Sequence, residues 1–293
     1  MNENDNSLLS LQKARELFIK NLENNNRSSN TIIAYDGDLS QLESFLLEQG
    51  VGNISEAESD HLEQFKKRLQ DEKYTAKSIS RKLNSIKSFF KFLSQEGVIT
   101  KDPAREVSHP KIETSEPRFL KPLEYRALRD VCRSDSRTLA IIELILQAGL
   151  RISEVANLRL ADIQDNTVVI RAQESHSERK VPINPAAKAA LNDYLSARPE
   201  VKTDYLFVTK TGRPLLVRNI RSSINRAFQK AGIEDAKVND LRNTFIVQQL
   251  EAGVPLEVVS RIVGHKRIST TEKYLQMVNK QKESVRGFRL VEL

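Results

Sequence analysis

The sequence predicts a mainly α-helical protein with two domains and one small antiparallel sheet. Most of the chain places apolar residues three or four positions apart, which is the spacing of one buried helix face. Two short runs rich in β-branched residues, TVVIRA and RKVPI, break this pattern, and the polar ESHSE between them indicates a hairpin. Since 293 residues exceed one core of ordinary size, we expect two domains.

Composition restricts the class of protein. With 39% hydrophobic and 29% charged residues, the chain is expected to be a soluble globular protein. No apolar run reaches the length of a membrane span, and the N-terminus MNENDNSLL lacks the pattern of a signal peptide. Cys132 is the only cysteine, which excludes a disulfide framework and favours a reducing cytoplasm. The excess of 46 basic over 39 acidic residues suits a polyanionic partner such as DNA.

The first domain is predicted over residues 1–105 and is helical. The segment SSNTIIAYDGDLSQLESFLLEQG is expected to be capped by Ser29 and Asn30, and two further helices, AESDHLEQFKKRLQDE and AKSISRKLNSIKSFFKFLSQEG, follow it. The last of these carries basic side chains outside its apolar face: Lys77, Arg81, Lys82, Lys87 and Lys91. Such a face is either solvated or in contact with phosphates, and the residues alone leave both interpretations open.

A proline-containing stretch without periodicity predicts a linker over residues 106–118. The second domain then covers residues 119–293. Its helices are predicted at 122–133, 136–149, 185–197 and 217–231, with another starting at SEVANLRL and more from residue 240. The segment YLFVTKTGRPL predicts a small strand and turn.

The stretch AGLRISEVANL places an arginine at a junction between two predicted helices. Gly149 is expected to end the first helix, and Ser153 is expected to cap the second with Glu154 in its first turn. Arg151 then projects between them, either toward a ligand or simply toward the Glu154 carboxylate.

A second arginine lies in VNDLRNTFIVQQLEAG. With Asp240 as the N-cap, Arg242 would occupy the first helical turn among unpaired backbone N–H groups. A cation there opposes the helix dipole, so an anionic ligand at that helix end would explain it. An exposed arginine without a role is the alternative.

The third stretch is GHKRISTTEKY. Gly264 is expected to end a helix directly before His265, and Ser269 with Glu272 forms the pattern of a capping box for the next helix, which carries Tyr274. Taken alone, His265 and Tyr274 also fit purely structural roles, one at a helix end and the other in a core.

The three stretches together favour phosphoryl-transfer chemistry. Two arginines and a histidine can neutralise a phosphate whose charge grows in the transition state, while a tyrosine hydroxyl attacks the phosphorus. Arginine suits this task because its planar guanidinium binds two phosphate oxygens at once. The sequence shows neither a nucleotide-binding glycine loop nor a carboxylate metal cluster, so no cofactor and no metal are predicted.

Several motifs, in order along nearly the whole chain, resemble the tyrosine recombinases of the phage integrase family, in particular its Xer-like members. The first domain has T-x-x-x-Y-x-x-D-L at residues 31–39, then IKSFFKFL and DPA. The second has AGLRISEVANLRLADI, ERKVPI, DLRNTF, IVGH and ISTTEKY. The resemblance implies a SAM-like core-binding domain followed by a catalytic domain with the DNA breaking-rejoining fold.

The resemblance also implies residue roles. Arg151 and Arg242 would grip the scissile phosphate, His265 would hydrogen-bond it, Glu154 would support the site, and Tyr274 would be the nucleophile. DNA held between the domains favours phosphate contact for Lys77, Arg81, Lys82 and Lys87. The C-terminal segment KESVRGFRLVEL would dock on a neighbouring subunit or fold back on its own domain.

Two positions depart from the family pattern. Asn239 stands where the family usually has a histidine, and an ungapped alignment places Glu174 where a lysine usually protonates the leaving 5′ oxygen. Asparagine cannot transfer a proton near neutral pH, and a glutamate repels phosphate unless it is protonated. Lys180 and His176 are therefore alternative general acids, and a slow or partner-dependent enzyme is a third explanation.

The expected function is site-specific recombination of double-stranded DNA through a covalent 3′-phosphotyrosine and a Holliday junction. The expected assembly is a homotetramer on two duplexes, with or without a partner recombinase or accessory protein, and the expected task is resolution or integration of a plasmid or mobile element. Two alternatives remain open. One is an enzyme like a type IB topoisomerase, and the other is a DNA-binding regulator on the same scaffold with impaired catalysis.

Overall fold

The computed structural model describes residues 9–113, 116–172 and 177–286, and for residues 281–286 the backbone alone. The chain divides into two compact units, residues 1–114 and 115–293. The predicted linker, residues 106–118, spans this division, and its ends stay a prediction. No helix among the described residues is long and apolar enough to cross a membrane.

The first unit is a helical domain, in agreement with the prediction. Its α-helices are α1 (Leu11–Asn24), α2 (Ser29–Glu48), α3 (Ser59–Asp71) and α4 (Ala76–Gln95). They enclose an apolar core in which Phe18 packs against Phe89 and Phe45 against Phe65. The N-cap of α2 is Ser28, whose hydroxyl accepts from the backbone N–H of Thr31. The prediction of Ser29 and Asn30 as caps was therefore wrong by one or two residues.

The second unit is mostly helical around one small sheet, as predicted. Its helices are α5 (Pro122–Cys132), α6 (Ser136–Ala148), α7 (Ile152–Asn157), α8 (Pro185–Ala197), α9 (Val217–Lys230), α10 (Val238–Glu251), α11 (Leu256–Val263) and α12 (Ser269–Arg286). The strands β1 (Ile163–Gln164), β2 (Thr167–Ile170) and β3 (Arg179–Pro182) form an antiparallel sheet in the order β1-β2-β3. The segment YLFVTKTGRPL forms a turn closed by a single bridge, Val208 to Pro214.

The apolar helix α6 lies at the centre of the second unit and packs against α8 and α10. It ends at Gly149, as predicted, with a φ of 63°. A Cβ added there would stand 2.5 Å from a ring carbon of Phe245, so both the backbone conformation and the space require glycine. This close approach brings the C-terminus of α6 against α10.

Two predicted helix starts were wrong for the same reason. In α7 the N-cap is Arg151, and Glu154, at the third helical position, accepts from its backbone N–H. In α10 the N-cap is Lys237, and Asp240 accepts from that backbone N–H in the same way. A carboxylate at this position pairs with the N-cap backbone N–H and interacts favourably with the positive end of the helix dipole, so the N-cap side chain itself need not be a capping residue. As a result Ser153 and Asp240 are helical residues, and Arg242 lies beyond the first turn. Ser269 is likewise the first helical residue of α12.

Candidate active site

Three arginines from three elements converge on the C-terminal end of α11. Arg179 Nε donates to the carbonyl of Ile262 (2.8 Å), Arg242 Nη2 to that of Val263 (2.6 Å), and Arg151 Nη2 to that of Gly264 (2.6 Å). These consecutive carbonyls are left unpaired by the helix end, where the helix dipole is negative and favours cations. The next residue along the chain is His265.

Arg242 is the most buried of the three, with 5% of its surface exposed. Its other donor, Nη1, hydrogen-bonds to the carbonyl of Gly149, so the guanidinium joins the ends of α6 and α11. Burial, then the neighbouring Arg151, lowers its pKa to about 9, which still leaves it charged at neutral pH. The prediction that Arg242 lies in the first turn of its own helix was wrong, but its guanidinium still lies at helix ends, those of α6 and α11.

Arg151 binds Glu154 and remains accessible. Its Nη1 donates to a carboxylate oxygen of Glu154 (2.8 Å), so the ion pair that the sequence left open is present. About a third of the Arg151 side chain, 33%, is nevertheless exposed, so an anion can still reach the guanidinium. Ion pairing and ligand binding are therefore compatible here.

Arg179, which sequence reasoning missed, is the second partner of Glu154. Its two terminal nitrogens lie 3.0 and 2.9 Å from the two carboxylate oxygens, in the bidentate geometry typical of arginine. The Glu154 side chain is fully buried, and burial by itself would raise the pKa of its carboxyl group. The hydrogen bonds from Arg179 and Arg151 outweigh this effect, so the pKa of Glu154 is lowered. The signal was available, because strand alternation points Arg179 to the same side as buried Val181.

The charges of this cluster leave room for an anion. Among the described residues, the guanidinium groups of Arg151 and Arg179 both bond to the Glu154 carboxylate, while the nearby Arg242 bonds to backbone carbonyls. Such an excess of buried or half-buried positive charge is costly unless an anionic ligand offsets it. The arrangement is therefore chemically suited to a phosphate group.

His265 follows this cluster and is held by a threonine. Its Nδ1 lies 2.8 Å from the hydroxyl of Thr271, at the start of α12. Burial, then the positive charges of Arg242, Arg151 and Arg179, lowers its pKa to about 4. The imidazole is therefore neutral at pH 7 and can donate one hydrogen bond through one ring nitrogen.

Tyr274 stacks beside His265, with 6.4 Å between ring centroids and 19° between ring planes. Only 9% of it is exposed, and it packs in an apolar cluster with Phe245 and Val263. Its hydroxyl donates to the side-chain oxygen of Asn243 (2.8 Å). Burial raises the pKa of this hydroxyl, and the nearby Arg242 partly offsets the rise.

Two family models match the chain. The model described as the phage integrase family matches residues 118–281, and that of the phage integrase N-terminal SAM-like domain matches residues 16–97. The chain belongs to the phage integrase family. A tyrosine recombinase XerC of Listeria innocua is 31% identical over 274 residues, which cover 88% of this chain and 91% of that protein. The resemblance to Xer-like tyrosine recombinases is thereby confirmed.

Solved structures of the family share the fold. The Tn1549 transposon integrase in complex with circular intermediate DNA has a TM-score of 0.76 and 19% identity, over 96% of this chain and all of that one. A lambda integrase tetramer bound to a Holliday junction has a TM-score of 0.75 and 17% identity, over 90% of this chain and 80% of that one. These likenesses confirm the predicted fold class.

The two positions that depart from the family pattern, and the two alternative general acids, lie in different parts of the second unit or outside the described residues. Asn239 donates to Asn243 (3.1 Å) and lines a cavity with Arg151 and Arg242. Lys180 is exposed on β3, on the side of the strand opposite Arg179, and lines a surface cleft with His265. Glu174 and His176 lie outside the described residues, as do the apolar tail positions Phe288, Leu290, Val291 and Leu293.

A basic surface beside the arginine cluster was also missed from the sequence. Arg221 and Asn225 of α9, together with Lys237, line the same cavity as Arg151 and Arg242. Helix α9, VRNIRSSINRAFQK, contains no acidic residue, and Arg218, Arg221 and Asn225 are exposed at spacings of three and four. That combination of helical spacing and unopposed charge was the readable signal.

The basic residues of α4 are not equally free. Asp38 of α2, 2% exposed, accepts from both terminal nitrogens of Arg81 (2.6 and 2.8 Å) and from Lys82 (3.0 Å). Lys82 is itself buried, so its placement on an outer face was wrong. The Arg81 side chain stays half exposed and Lys77 is exposed, while Lys87 donates to the carbonyl of Arg105 (3.3 Å).

Proposed function

We propose that this family member is a site-specific DNA recombinase that cleaves and rejoins double-stranded DNA through a 3′-phosphotyrosine at Tyr274. The observation that carries the proposal is the set of three arginines on three successive carbonyls directly before His265, with the Tyr274 ring stacked on that histidine. A phosphate at this cluster would meet positive charge that the protein has already arranged.

In the proposed reaction, Arg151 and Arg242 bind the nonbridging oxygens of the scissile phosphate and His265 donates a hydrogen bond to one of them. The Tyr274 oxygen attacks phosphorus, so the tyrosine–phosphorus bond forms and the bond to the 5′ oxygen breaks. The tyrosine proton passes to solvent, and a general acid supplies a proton to the leaving 5′ oxygen. Attack by a 5′ hydroxyl on the phosphotyrosine reverses these changes and rejoins the strand.

Lys180 and His176 are the candidates for that general acid. Lys180 directly follows Arg179 on β3. Because Arg179 is bonded to Glu154, the backbone of Lys180 has a fixed position relative to the arginine cluster. An imidazole side chain can transfer protons near neutral pH, which makes His176 the second candidate. Glu174 would act as an acid only if protonated, and Asn239 would only donate a hydrogen bond.

The DNA-binding surface of the second unit would include α9. Arg218 and Arg221 present charge next to the cavity that holds Arg151 and Arg242, so they would bind the DNA backbone near the scissile phosphate. In the first unit, Lys77 and Arg81 are the exposed candidates for phosphate contact, with Lys87 as a half-buried third.

The proposed assembly is a homotetramer on two duplexes that exchanges strands through a Holliday junction, with or without an accessory protein. Its support is the likeness to a lambda integrase tetramer bound to such a junction. The likeness to a transposon integrase supports resolution or integration of a mobile element or plasmid. Incubation with two labelled copies of the target site would test exchange directly.

Covalent trapping tests the chemistry. The protein is incubated with nicked suicide duplexes bearing its own site, and adducts are separated on a denaturing gel. Tyr274→Phe should abolish the DNA-linked band, whereas Tyr205→Phe should keep it, because the hydroxyl of Tyr205 takes no part in the cluster. Absence of any band with intact DNA binding would favour a regulatory scaffold or an enzyme that needs a partner subunit. An adduct with relaxation of supercoiled DNA but no exchange would favour a topoisomerase-like enzyme.

A further inference from the structure

Thr271 is a fully buried residue with a single side-chain hydrogen bond among the described residues. Its exposed fraction is 0%, and its hydroxyl oxygen lies 2.8 Å from Nδ1 of His265. Thr271 is the third residue of α12, and its backbone N–H is already bonded to the carbonyl of Ile268 (2.8 Å). The side chain is therefore committed to the histidine.

The direction of this hydrogen bond determines which nitrogen of His265 carries the proton. The imidazole is neutral, so exactly one of Nδ1 and Nε2 has a hydrogen. If Nδ1–H donated to Thr271, the buried threonine O–H would have no acceptor among the residues that the structure describes. A buried donor without a partner costs more than the hydrogen bond itself gains. The stable arrangement is therefore the hydroxyl donating to Nδ1, with the hydrogen on Nε2.

The surroundings of His265 favour the same arrangement once a phosphate is bound. The positive charges that act on the ring belong to Arg242 of α10, Arg151 at the start of α7 and Arg179 of β3, and the Tyr274 ring stacks beside it. The arginines attract an anion toward the ring. A lone pair on Nε2 would repel a phosphate oxygen, whereas an Nε2–H donates to it.

We propose that Thr271 is a positioning residue that holds His265 as the Nε2–H tautomer, so that the neutral ring serves as a hydrogen-bond donor to phosphate. That a phosphate binds beside His265 rests on the function proposed above, whereas the tautomer of the ring is independent of that function. In this arrangement His265 does not take the tyrosine proton, because its unprotonated nitrogen is turned to Thr271.

The tautomer can be observed without activity. Selective ¹⁵N-histidine labelling and long-range ¹H–¹⁵N correlation distinguish protonated from unprotonated ring nitrogens, and the His265 signals are identified by their loss in His265→Gln. Wild type should show an unprotonated Nδ1. Thr271→Val, which keeps the side-chain shape, should shift the signals toward the other tautomer, and Thr271→Ser should restore them. Thr270→Val, at the exposed neighbouring position, is the matched control and should resemble wild type.

Cleavage of the suicide duplex gives the second readout. Thr271→Val should slow adduct formation by about three- to tenfold, the worth of one hydrogen bond, while Thr271→Ser and Thr270→Val stay near wild type. A protonated Nδ1 in wild type, or unchanged tautomer signals in Thr271→Val, would overturn the inference, even if that variant were slow. If wild type formed no adduct, the proposed function would fail, but the nitrogen signals would still decide the role of Thr271.

Discussion

The phenolic hydroxyl of Tyr274 donates a hydrogen bond to the side-chain oxygen of Asn243, with 2.8 Å between the two oxygens. The amide nitrogen of Asn243 in turn donates to the backbone carbonyl of Arg118, also at 2.8 Å, which orients the amide. An amide oxygen accepts a hydrogen bond but takes up no proton near neutral pH. The tyrosine therefore rests as a protonated hydroxyl tied to the first residues of the second unit.

This contact predicts an energetic coupling between the two side chains. Asn243→Ala should lower the free energy of unfolding by about 1–3 kcal/mol, because it leaves buried polar groups without partners. In a double-mutant cycle with Tyr274→Phe, the two effects should be less than additive by about 1 kcal/mol. Urea unfolding measures both quantities, and Asn225→Ala, at an exposed position, is the control. Strict additivity would show that the contact contributes nothing to stability.

Glu154 should make the second unit sensitive to acid. Its folded pKa is below the ordinary value of 4.5, so its contribution to stability is present above that pH and is lost as the pH falls through the folded pKa. Glu154→Gln should cost about 3–5 kcal/mol at pH 7, because it leaves the guanidinium groups of Arg151 and Arg179 without their counter-charge.

Urea unfolding of wild type and Glu154→Gln between neutral and acid pH measures this effect. The difference should shrink toward low pH. Glu116→Gln is the matched control, since its ion pair with Lys280 is on the surface and is expected to contribute less than about 1 kcal/mol. An equal cost at every pH would contradict the assigned role of the Glu154 charge.

The general acid can be identified through the leaving group. Replacing the 5′ bridging oxygen of the scissile phosphate by sulfur creates a leaving group that needs no proton. Lys180→Ala or His176→Ala should slow cleavage of the ordinary substrate by about 10²–10⁴-fold if that residue is the acid, with recovery on the sulfur substrate. Arg151→Ala should cleave both substrates slowly, because Arg151 is proposed to bind the phosphate and not the leaving group. If Lys180→Ala and His176→Ala both cleaved the ordinary substrate at nearly the wild-type rate, both candidates would be eliminated.

The basic face of α9 should contribute to DNA affinity through phosphate contacts. Arg221→Ala is expected to weaken binding to all sequences alike and to reduce the slope of log affinity against log salt by about 1. Arg133→Ala removes another exposed charge directly after α5, where it pairs with Asp130, and should leave the slope unchanged. Fluorescence anisotropy over a range of salt concentrations provides the measurement. A sequence-selective loss would instead indicate base contact.

The sequence by itself determined the helical fold class, the hairpin and the glycines at which α6 and α11 end. Its linked motifs also predicted residues of the candidate site. These features depend on local periodicity and backbone conformation, so they can be read from neighbouring residues. Helix starts were less certain, because a carboxylate at the third helical position in α7 and α10 replaced the capping that Ser153 and Asp240 had suggested.

Only the tertiary structure decided how the charges are shared. It brought Arg179 to Glu154 across 25 positions and Tyr274 to Asn243 across 31, and it buried Lys82 against Asp38 across 44. Each pairing is a long-range electrostatic or hydrogen-bonding choice made by the packing of separate elements. No local pattern specifies such a partner, since the energy of a buried charge depends on everything that surrounds it.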